Sequence, residues 1–182
     1  MVYDKVIEGK FCRLRAVVPE DAEFILRLRN DKEISKYLPP RNVTVEQQQG
    51  WISKQRNDSD SYYFLIMDKS GNKLGTISVY NIENGHAEVG RFCSIGSSVI
   101  NMEAALIHDD FIFDILNLSY LDIWVYKGNK PVLSLNQGFG CKWEGENVDE
   151  HGEPFLFGKL TKEDFYKKSV KIRKNISIIK EI

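Results

Sequence analysis

The strongest constraint on this chain is a change of hydrophobic period midway along its length. Three strand-like stretches, at 62–67, 74–80 and 87–94, follow one another with only turn residues between them. Helical spacing then begins at Met102, and the next strand-like stretch, 120–126, follows that helix. Strands joined by tight turns pair antiparallel, whereas a helix between two strands permits a parallel pair. The sequence therefore predicts a mixed sheet.

Local signals place the remaining elements around this meander. Pro19 precedes two acidic residues, which favours a helix start, and Thr44 with Gln47 forms a capping-box pattern. Thr161 with Asp164 caps a last helix. We predict an α+β fold with a mixed, mostly antiparallel central sheet of about seven strands and helices on both faces. The strands are expected at 10–17, 62–67, 74–80, 87–94, 120–126, 141–148 and 153–160, and the helices at 19–30, 44–57, 102–117, 131–136 and after 161.

Length and charge narrow the class of protein. A chain of 182 residues with 42% hydrophobic residues is expected to form a single domain, 1–182, with a real core. Residues 162–182 are rich in lysine and are expected to form a basic C-terminal helix or tail. The formal net charge of −1 argues against broad nucleic-acid or membrane binding, because positive charge drives both.

The N-terminal residues and the cysteines bear on the compartment. Residues 1–10 carry acidic side chains and no apolar stretch, so we expect no signal peptide and a cytoplasmic protein. Three cysteines, Cys12, Cys93 and Cys141, fit no zinc spacing and are expected to be free thiols, and we expect no metal.

Five short signatures occur in order between Leu74 and Gly145. They are Leu-Gly-Thr-Ile (74–77), Ala-Glu-Val-Gly (87–90), Met-Glu-Ala-Ala-Leu (102–106), Asn129 and Phe-Gly-Cys-Lys-Trp-Glu-Gly (139–145). In this order and spacing the chain resembles GNAT-type N-acetyltransferases of the ribosomal-protein (RimJ/RimL-like) branch, from about Gly9 to Leu160. The resemblance implies the GNAT fold, acetyl-CoA as co-substrate and an amine as acceptor.

The resemblance also implies where coenzyme A would bind. In the family the fourth strand ends in a bulge and diverges from the fifth, and the pantetheine arm pairs with the exposed strand backbone. The helix that follows offers unpaired N–H groups to the pyrophosphate. These positions correspond here to Phe92, Cys93 and Ser94 on the strand, and to Gly96, Ser97, Ser98, Val99, Ile100 and Asn101 at the start of the helix.

This segment departs from the family pattern. The family's glycine-rich loop is replaced here, and the span from Glu88 to Glu103 is about two residues shorter than expected. Phosphate binding depends on backbone donors more than on glycine, and Ser97 and Ser98 could add hydroxyl donors. The competing interpretation is an ordinary loop that caps a helix.

Glu88 is the expected general base. An amine acceptor must lose a proton before it attacks, since a lysine-like ammonium has a pKa of about 10.4, and a carboxylate can accept that proton directly or through water. Strand alternation predicts that Glu88 shares a face with Phe92. The alternative is a structural carboxylate paired with His86 or Arg91.

The resemblance and the sequence offer different groups to assist the leaving thiolate. The resemblance implies that Asn129 and Val132 contact the coenzyme, and that Asn136 occupies the position of the family's proton-donating tyrosine. Asparagine cannot act as an acid, although it can hydrogen-bond the sulfur, and Tyr126 and Ser134 are substitute donors. An acyl-cysteine route through Cys93 would need an activating base that the nearby sequence does not supply.

The expected function is acetyl-CoA-dependent N-acetylation of a primary amine by direct attack in a ternary complex. The acceptor stays open between a protein N-terminus and a small amine or amino sugar, and the segment 37–57 is expected to set that choice. One alternative is a non-catalytic acyl-CoA-binding or partner-binding module that keeps the fold. Another is an unrelated α/β protein with coincidental matches. A homodimer is compatible with the sequence.

Overall fold

The computed structural model describes residues 1–39 and 41–180, and these form one eight-stranded sheet with five α-helices. The strand order is β1-β2-β3-β4-β5-β6-β8-β7, and among the described strands only β5 and β6 pair parallel. The elements are β1 (Ile7–Glu8), β2 (Cys12–Ala16), α1 (Ala22–Asn30), α2 (Val45–Gln55), β3 (Tyr62–Asp68), β4 (Lys73–Glu83), β5 (His86–Ser94), α3 (Ser98–Asp110), β6 (Tyr120–Tyr126), α4 (Lys130–Phe139), β7 (Lys142–Val148), β8 (Pro154–Thr161) and α5 (Lys162–Ile178).

The predicted α+β class is confirmed, with three differences in detail. The sheet gains the two-residue strand β1, which pairs with β2 and is too short to detect by periodicity. Helix α3 begins at Ser98, before its apolar stripe starts, and its last turn is followed by a π-helical turn, Phe111–Ile115. Helix α4 extends three residues past the predicted end at Asn136, to Phe139.

The helices cover both faces of the sheet because each strand alternates its apolar side chains. On β3, Tyr63 and Leu65 pack with α1 and α2, whereas Phe64 and Ile66 pack with α3, α4 and α5. The capping signals hold: the Thr44 hydroxyl accepts from the Gln47 N–H, at 3.2 Å, and α5 starts as predicted after Thr161. In the part of the chain that the structure describes, no helix is both long and apolar enough to cross a membrane.

Glu103 ties the beginning of β2 to α3. Its buried carboxylate accepts hydrogen bonds from the backbone N–H groups of Lys10, Phe11 and Cys12, at 2.7, 2.6 and 2.9 Å. A Cβ at Gly9 would lie 2.7 Å from this carboxylate, so only a glycine allows the backbone to pass this close to Glu103. The Met-Glu-Ala-Ala-Leu signature therefore has a structural role: it fixes where α3 sits against the sheet.

Candidate active site

The parallel strands β5 and β6 separate after a short pairing. They pair from His86 with Tyr120 to Glu88 with Asp122, and no further pair joins them although β5 continues to Ser94 and β6 to Tyr126. The expected divergence of the two central strands is confirmed. Beyond Glu88, the edge of β5 that faces β6 presents backbone groups that no described strand pairs with, which is the arrangement that β-augmentation requires.

A bulge at Arg91 gives β5 its shape beyond that point. Arg91 has φ of 51°, and the register with β4 runs from Ser78 with Gly90 to Thr76 with Cys93, so β5 holds one extra residue. The hydroxyl groups of Thr76 and Ser78 donate to the carbonyls of Arg91 and Gly90, at 3.0 and 3.2 Å. The bulge of the family is therefore present, and side-chain hydroxyls on β4 satisfy its carbonyls.

After the extra residue, the side chains of β5 point to the opposite faces of the sheet from those that simple alternation predicts. Phe92 packs in the core on the α3 side, whereas Cys93 is buried among α1 residues. Glu88 pairs across strands with Tyr80, whose ring lies under the Arg91 guanidinium on the α2 side. The prediction that Glu88 and Phe92 share a face is wrong, because Gly90 and Phe92 are separated by the bulge.

Glu88 is held by a neighbour that the sequence did not reveal. The Asn81 amide donates to its Oε1 at 2.9 Å, and Asn81 has φ of 53° at a second irregularity, in β4. Two bulges on facing strands thus flank Glu88. The sequence does not reveal this arrangement, because a bulge interrupts the alternation of apolar and polar residues without a periodic pattern of its own. Among the described residues no cationic group lies within 4 Å of the Glu88 carboxylate, so the alternative pairing with His86 or Arg91 is not seen.

Glu88 also lines an acidic surface pocket of about 290 Å³. His86, at its wall, stacks on Tyr120 with the rings 4.9 Å apart, and its Nδ1 lies 2.8 Å from Asp122. A site that gathers several carboxylates attracts an ammonium group. The lining residues are Asp60, Asn81, Ile82, Glu83, His86 and Glu88.

The N-terminus of α3 lies directly after the free end of β5. Ser97 is its N-cap, and its hydroxyl accepts from the Ile100 N–H at 3.3 Å. The side chain of Asn101 donates to the Gly96 carbonyl at 3.0 Å, and the Ser94 hydroxyl accepts from the Gly96 N–H at 2.9 Å. The loop is thus held by its own side chains, and the first-turn N–H groups of Ser98 and Val99 make no hydrogen bond within the described residues.

Gly96 is needed in this loop for steric reasons. A Cβ there would lie 2.9 Å from Cγ2 of Ile100, 3.0 Å from Oδ1 of Asn101 and 3.1 Å from Oγ of Ser94. One glycine at this close approach therefore replaces the glycine-rich loop of the family pattern. The Ser97 hydroxyl accepts a backbone hydrogen bond, so it stabilises the helix end.

At the other side of the gap, Asn129 is the N-cap residue of α4, although its side chain makes no capping hydrogen bond. Val132 packs against the core of the α3 side. The Asn136 amide donates to the Val132 carbonyl at 2.9 Å, which occupies an N–H of the amide within its own helix. Ser134 is exposed.

Two further side chains have contacts that bear on their expected roles. The Tyr126 hydroxyl donates to Asp149 at 2.8 Å, and this hydrogen bond raises the pKa of Tyr126, which weakens it as an acid. Burial raises the pKa of Cys93 to about 11, and its thiol lies near the carbonyls of Leu28 and Ile34. A buried thiol of this kind is poorly suited to an acyl-cysteine route.

The segment between α1 and α2 reaches across to the end of β6. The Tyr37 hydroxyl donates to the Gly128 carbonyl at 2.6 Å, and its ring lies 6.3 Å from that of Tyr126. The predicted specificity segment 37–57 therefore touches the strand that borders the gap; Pro40 lies outside the described residues.

Comparisons with known families and with curated proteins both find acetyltransferases. The family model for the acetyltransferase (GNAT) domain matches residues 12–142. Acetyltransferase PseH of Campylobacter jejuni is 24% identical over 123 residues, which is 65% of this chain and 74% of that protein.

Solved structures share the fold at low sequence identity. Apo FdhC, a nucleotide-linked sugar GNAT, has a TM-score of 0.78 at 21% identity and covers 94% of this chain and 98% of its own. A GCN5-related N-acetyltransferase from Brucella melitensis has 0.77 at 18% identity, covering 96% of this chain and 86% of its own. A point mutant of spermidine N-acetyltransferase SpeG from Vibrio cholerae has 0.75 at 20% identity, covering 88% of this chain and 99% of its own.

Proposed function

Because the chain belongs to the GNAT acetyltransferase family, we propose that it moves the acetyl group of acetyl-CoA to a primary amine by direct attack in a ternary complex. The observation that carries this proposal is the gap between β5 and β6, with the α3 N-terminus at its open end. An unpaired strand edge suits the amide groups of a pantetheine arm, and a helix N-terminus suits a pyrophosphate.

The proposed coenzyme site follows the chain from the bulge into α3. Backbone groups of Phe92, Cys93 and Ser94 pair with the pantetheine arm. The α3 start, which comprises Gly96, Ser97, Ser98, Val99, Ile100 and Asn101, binds the pyrophosphate mainly through backbone N–H groups. Asn129 and Val132 contact the coenzyme from the α4 side.

Glu88 is the proposed general base. Its carboxylate accepts the proton of the acceptor ammonium, directly or through one water, and the neutral amine then attacks the thioester carbonyl carbon. Asn81 orients the carboxylate through one oxygen and leaves the other oxygen for the acceptor. The acidic pocket beside Glu88 favours arrival of the amine in its charged form.

Asn136 is the proposed partner of the departing sulfur. A thiol pKa of about 8.5 means that coenzyme A can leave as a thiolate near neutral pH without a strong acid. The amide of Asn136 has one N–H left after its bond to Val132, and this N–H can donate to the sulfur. The second proton that the nitrogen loses as the amide forms passes to this thiolate or to water, so a proton-donating tyrosine is not required in this scheme.

The acceptor classes suggested by relatives differ in charge. FdhC is a nucleotide-linked sugar GNAT and SpeG is a spermidine N-acetyltransferase, whereas the RimJ/RimL-like branch suggested by the sequence motifs acts on protein N-termini. We propose a small amine or amino sugar as the acceptor, with a protein N-terminus as the second candidate. The hydrogen bond from Tyr37 to Gly128 holds the α1–α2 segment against the end of β6, which supports a smaller acceptor.

Two measurements test the proposal. Free thiol released from acetyl-CoA is followed with a panel of primary amines, and mass spectrometry of the product should show one added acetyl group. Coenzyme A alone should raise the melting temperature, because it binds only the folded protein. A protein that neither binds coenzyme A nor releases thiol with any amine would contradict the proposal, and binding without transfer would indicate a non-catalytic module.

A further inference from the structure

Three arginine guanidinium groups gather on the α1–α2 side of β5. Those of Arg41 and Arg91 both lie over the ring of Trp51, 4.9 and 5.3 Å from its centre. Arg29, only 5% exposed, sits near both and donates to the Pro39 carbonyl at 2.6 Å. We call Arg29, Arg41 and Arg91 the arginine cluster.

The arginine cluster forms no ion pair with the described part of the protein. No carboxylate among residues 1–39 and 41–180 lies within 4 Å of these guanidinium groups, and Nε of Arg29 and Nη1 of Arg91 are buried without an acceptor. Burial, and to a smaller degree the neighbouring arginines, lower the pKa of both Arg29 and Arg91. Uncompensated buried charge is costly, so a counter-ion is expected.

Asp21 shows how this chain treats a buried charge that serves structure alone. Its carboxylate is fully buried and receives two hydrogen bonds from Arg15, at 2.7 and 2.8 Å, one from the Val18 N–H, at 3.0 Å, and an ion pair with Lys73, at 2.7 Å. Its charge is thus compensated within the protein. The buried donors of the arginine cluster have no such partners, which points to a ligand.

The cluster lies on the acceptor side of the site. Arg91 is the bulge residue of β5, and the Tyr80 ring, 4.5 Å from the Arg91 guanidinium, pairs across strands with Glu88. Arg41 belongs to the α1–α2 segment, where two hydrogen bonds with the Asn30 side chain, at 3.1 and 3.2 Å, fix its backbone. The proposed pyrophosphate site is at the start of α3, where Ile100 packs with the core on the other side of the sheet.

We infer that the acceptor carries a phosphate or diphosphate group besides its amine, and that the arginine cluster binds this group while the amine faces Glu88. The inference rests on the proposed acetyltransferase function. A guanidinium group can donate two parallel hydrogen bonds to two oxygens of a phosphate. A cluster of three guanidinium groups suits a diphosphate, because a diphosphate carries more negative charge than a carboxylate. The acidic pocket would attract a positively charged polyamine, whereas the arginine cluster would repel it.

The inference is tested by measuring acceptor kinetics in wild type, in Arg41 variants and in a control variant that loses the same charge elsewhere. The acceptors are glucosamine, glucosamine 6-phosphate, a nucleoside-diphosphate-linked amino sugar and spermidine. For the wild type we expect kcat/KM to be at least about tenfold higher for a phosphate-bearing amine than for glucosamine or spermidine. Arg41→Gln should cost a phosphate-bearing amine at least about tenfold more than it costs glucosamine, mostly in KM.

Arg27→Gln is the matched control, because Arg27 is an exposed cation on α1 whose side chain packs on Phe24 outside the cluster. It should leave all four acceptors unchanged. Arg41→Lys, which keeps the charge and loses the planar fork, should fall between Arg41→Gln and wild type. A preference of the diphosphate-linked sugar over the monophosphate identifies which phosphate source is bound.

A binding measurement separates this inference from the proposed function. Calorimetry with inorganic diphosphate, on protein saturated with coenzyme A, should show one site that Arg41→Gln weakens without changing coenzyme affinity. An active enzyme that binds no diphosphate, or that uses spermidine and glucosamine as well as phosphorylated amines, overturns the inference. Absence of acetyl transfer with every amine, with diphosphate still bound at the cluster, would overturn the proposed function and the assignment of the ligand as an acetyl acceptor, and would keep only the arginine cluster as a diphosphate site.

Discussion

The two halves of the candidate site recognise their ligands in different ways. On the coenzyme side, the expected contacts are the unpaired edge of β5 and the first-turn N–H groups of α3, which belong to the backbone. On the acceptor side they are side chains, among them Glu88, Asn81 and the arginine cluster. Backbone groups exist in any sequence that forms the fold, whereas side chains must be specified one by one.

This difference explains how much variation each half tolerates. Three of the four positions from Gly96 to Val99 are not glycine, yet the helix end keeps its free donors, because the loop needs glycine only where a Cβ would collide with Ile100 and Asn101. An exchange at Glu88 or Arg41 removes a chemical group that the fold cannot replace. Substitutions on the two sides should therefore act on different kinetic constants.

The largest effect is expected from Glu88→Gln. The amide keeps the shape of the side chain and cannot accept the acceptor's proton, so kcat should fall by about 10²–10⁴-fold, with coenzyme affinity unchanged. Steady-state kinetics and coenzyme titration measure the two quantities.

Glu83→Gln is the control for that change, since Glu83 is exposed and lines the same pocket. It should alter kcat by less than about threefold. Unchanged turnover near pH 7 in Glu88→Gln would remove Glu88 from the role of base.

Gly96→Val should produce the opposite pattern. The added methyl groups would displace Ile100 and Asn101 from the loop, so the dissociation constant of coenzyme A should rise about tenfold or more, while kcat at saturating acetyl-CoA changes less. Gly50→Val is the matched control, because a Cβ at Gly50 meets nothing within 4 Å. Equal coenzyme affinity in wild type and Gly96→Val would argue against the α3 start as the phosphate site.

Ser97→Ala separates helix capping from ligand binding. Removal of an N-cap hydroxyl costs about 1 kcal/mol of the free energy of unfolding, measurable by urea denaturation. Ser98→Ala, at an exposed neighbour, should cost less. A loss of coenzyme affinity in Ser98→Ala larger than in Ser97→Ala would show that side-chain hydroxyls bind the phosphate, contrary to the backbone view of this side.

The smallest effect is expected from Tyr126→Phe. Its hydrogen bond to Asp149 raises the pKa of Tyr126, so the phenol holds its proton more tightly than a free tyrosine. A group of this kind is a poor acid near neutral pH, and kcat should change by less than about threefold. A loss greater than about tenfold would assign Tyr126 the role that we give to Asn136.

The sequence predicted the order of strands and helices because that order depends on repeated periods and on caps such as Thr44 and Thr161. Through the resemblance of its motifs, it also predicted that the strands that are β5 and β6 in the structure diverge. It failed at the face of Phe92, because the bulge places an arginine at φ of 51°, where neither glycine nor asparagine marks the position. The arginine cluster was missed because Arg29, Arg41 and Arg91 come together only through the fold.

The Glu103 anchor couples the N-terminal edge of the protein to the helix proposed to bind the coenzyme. Its carboxylate restrains three amides at Lys10, Phe11 and Cys12, so α3 cannot shift without disturbing the start of β2. Coenzyme binding should thus slow hydrogen–deuterium exchange at the amides of Lys10, Phe11 and Cys12, although these residues do not belong to the proposed coenzyme site.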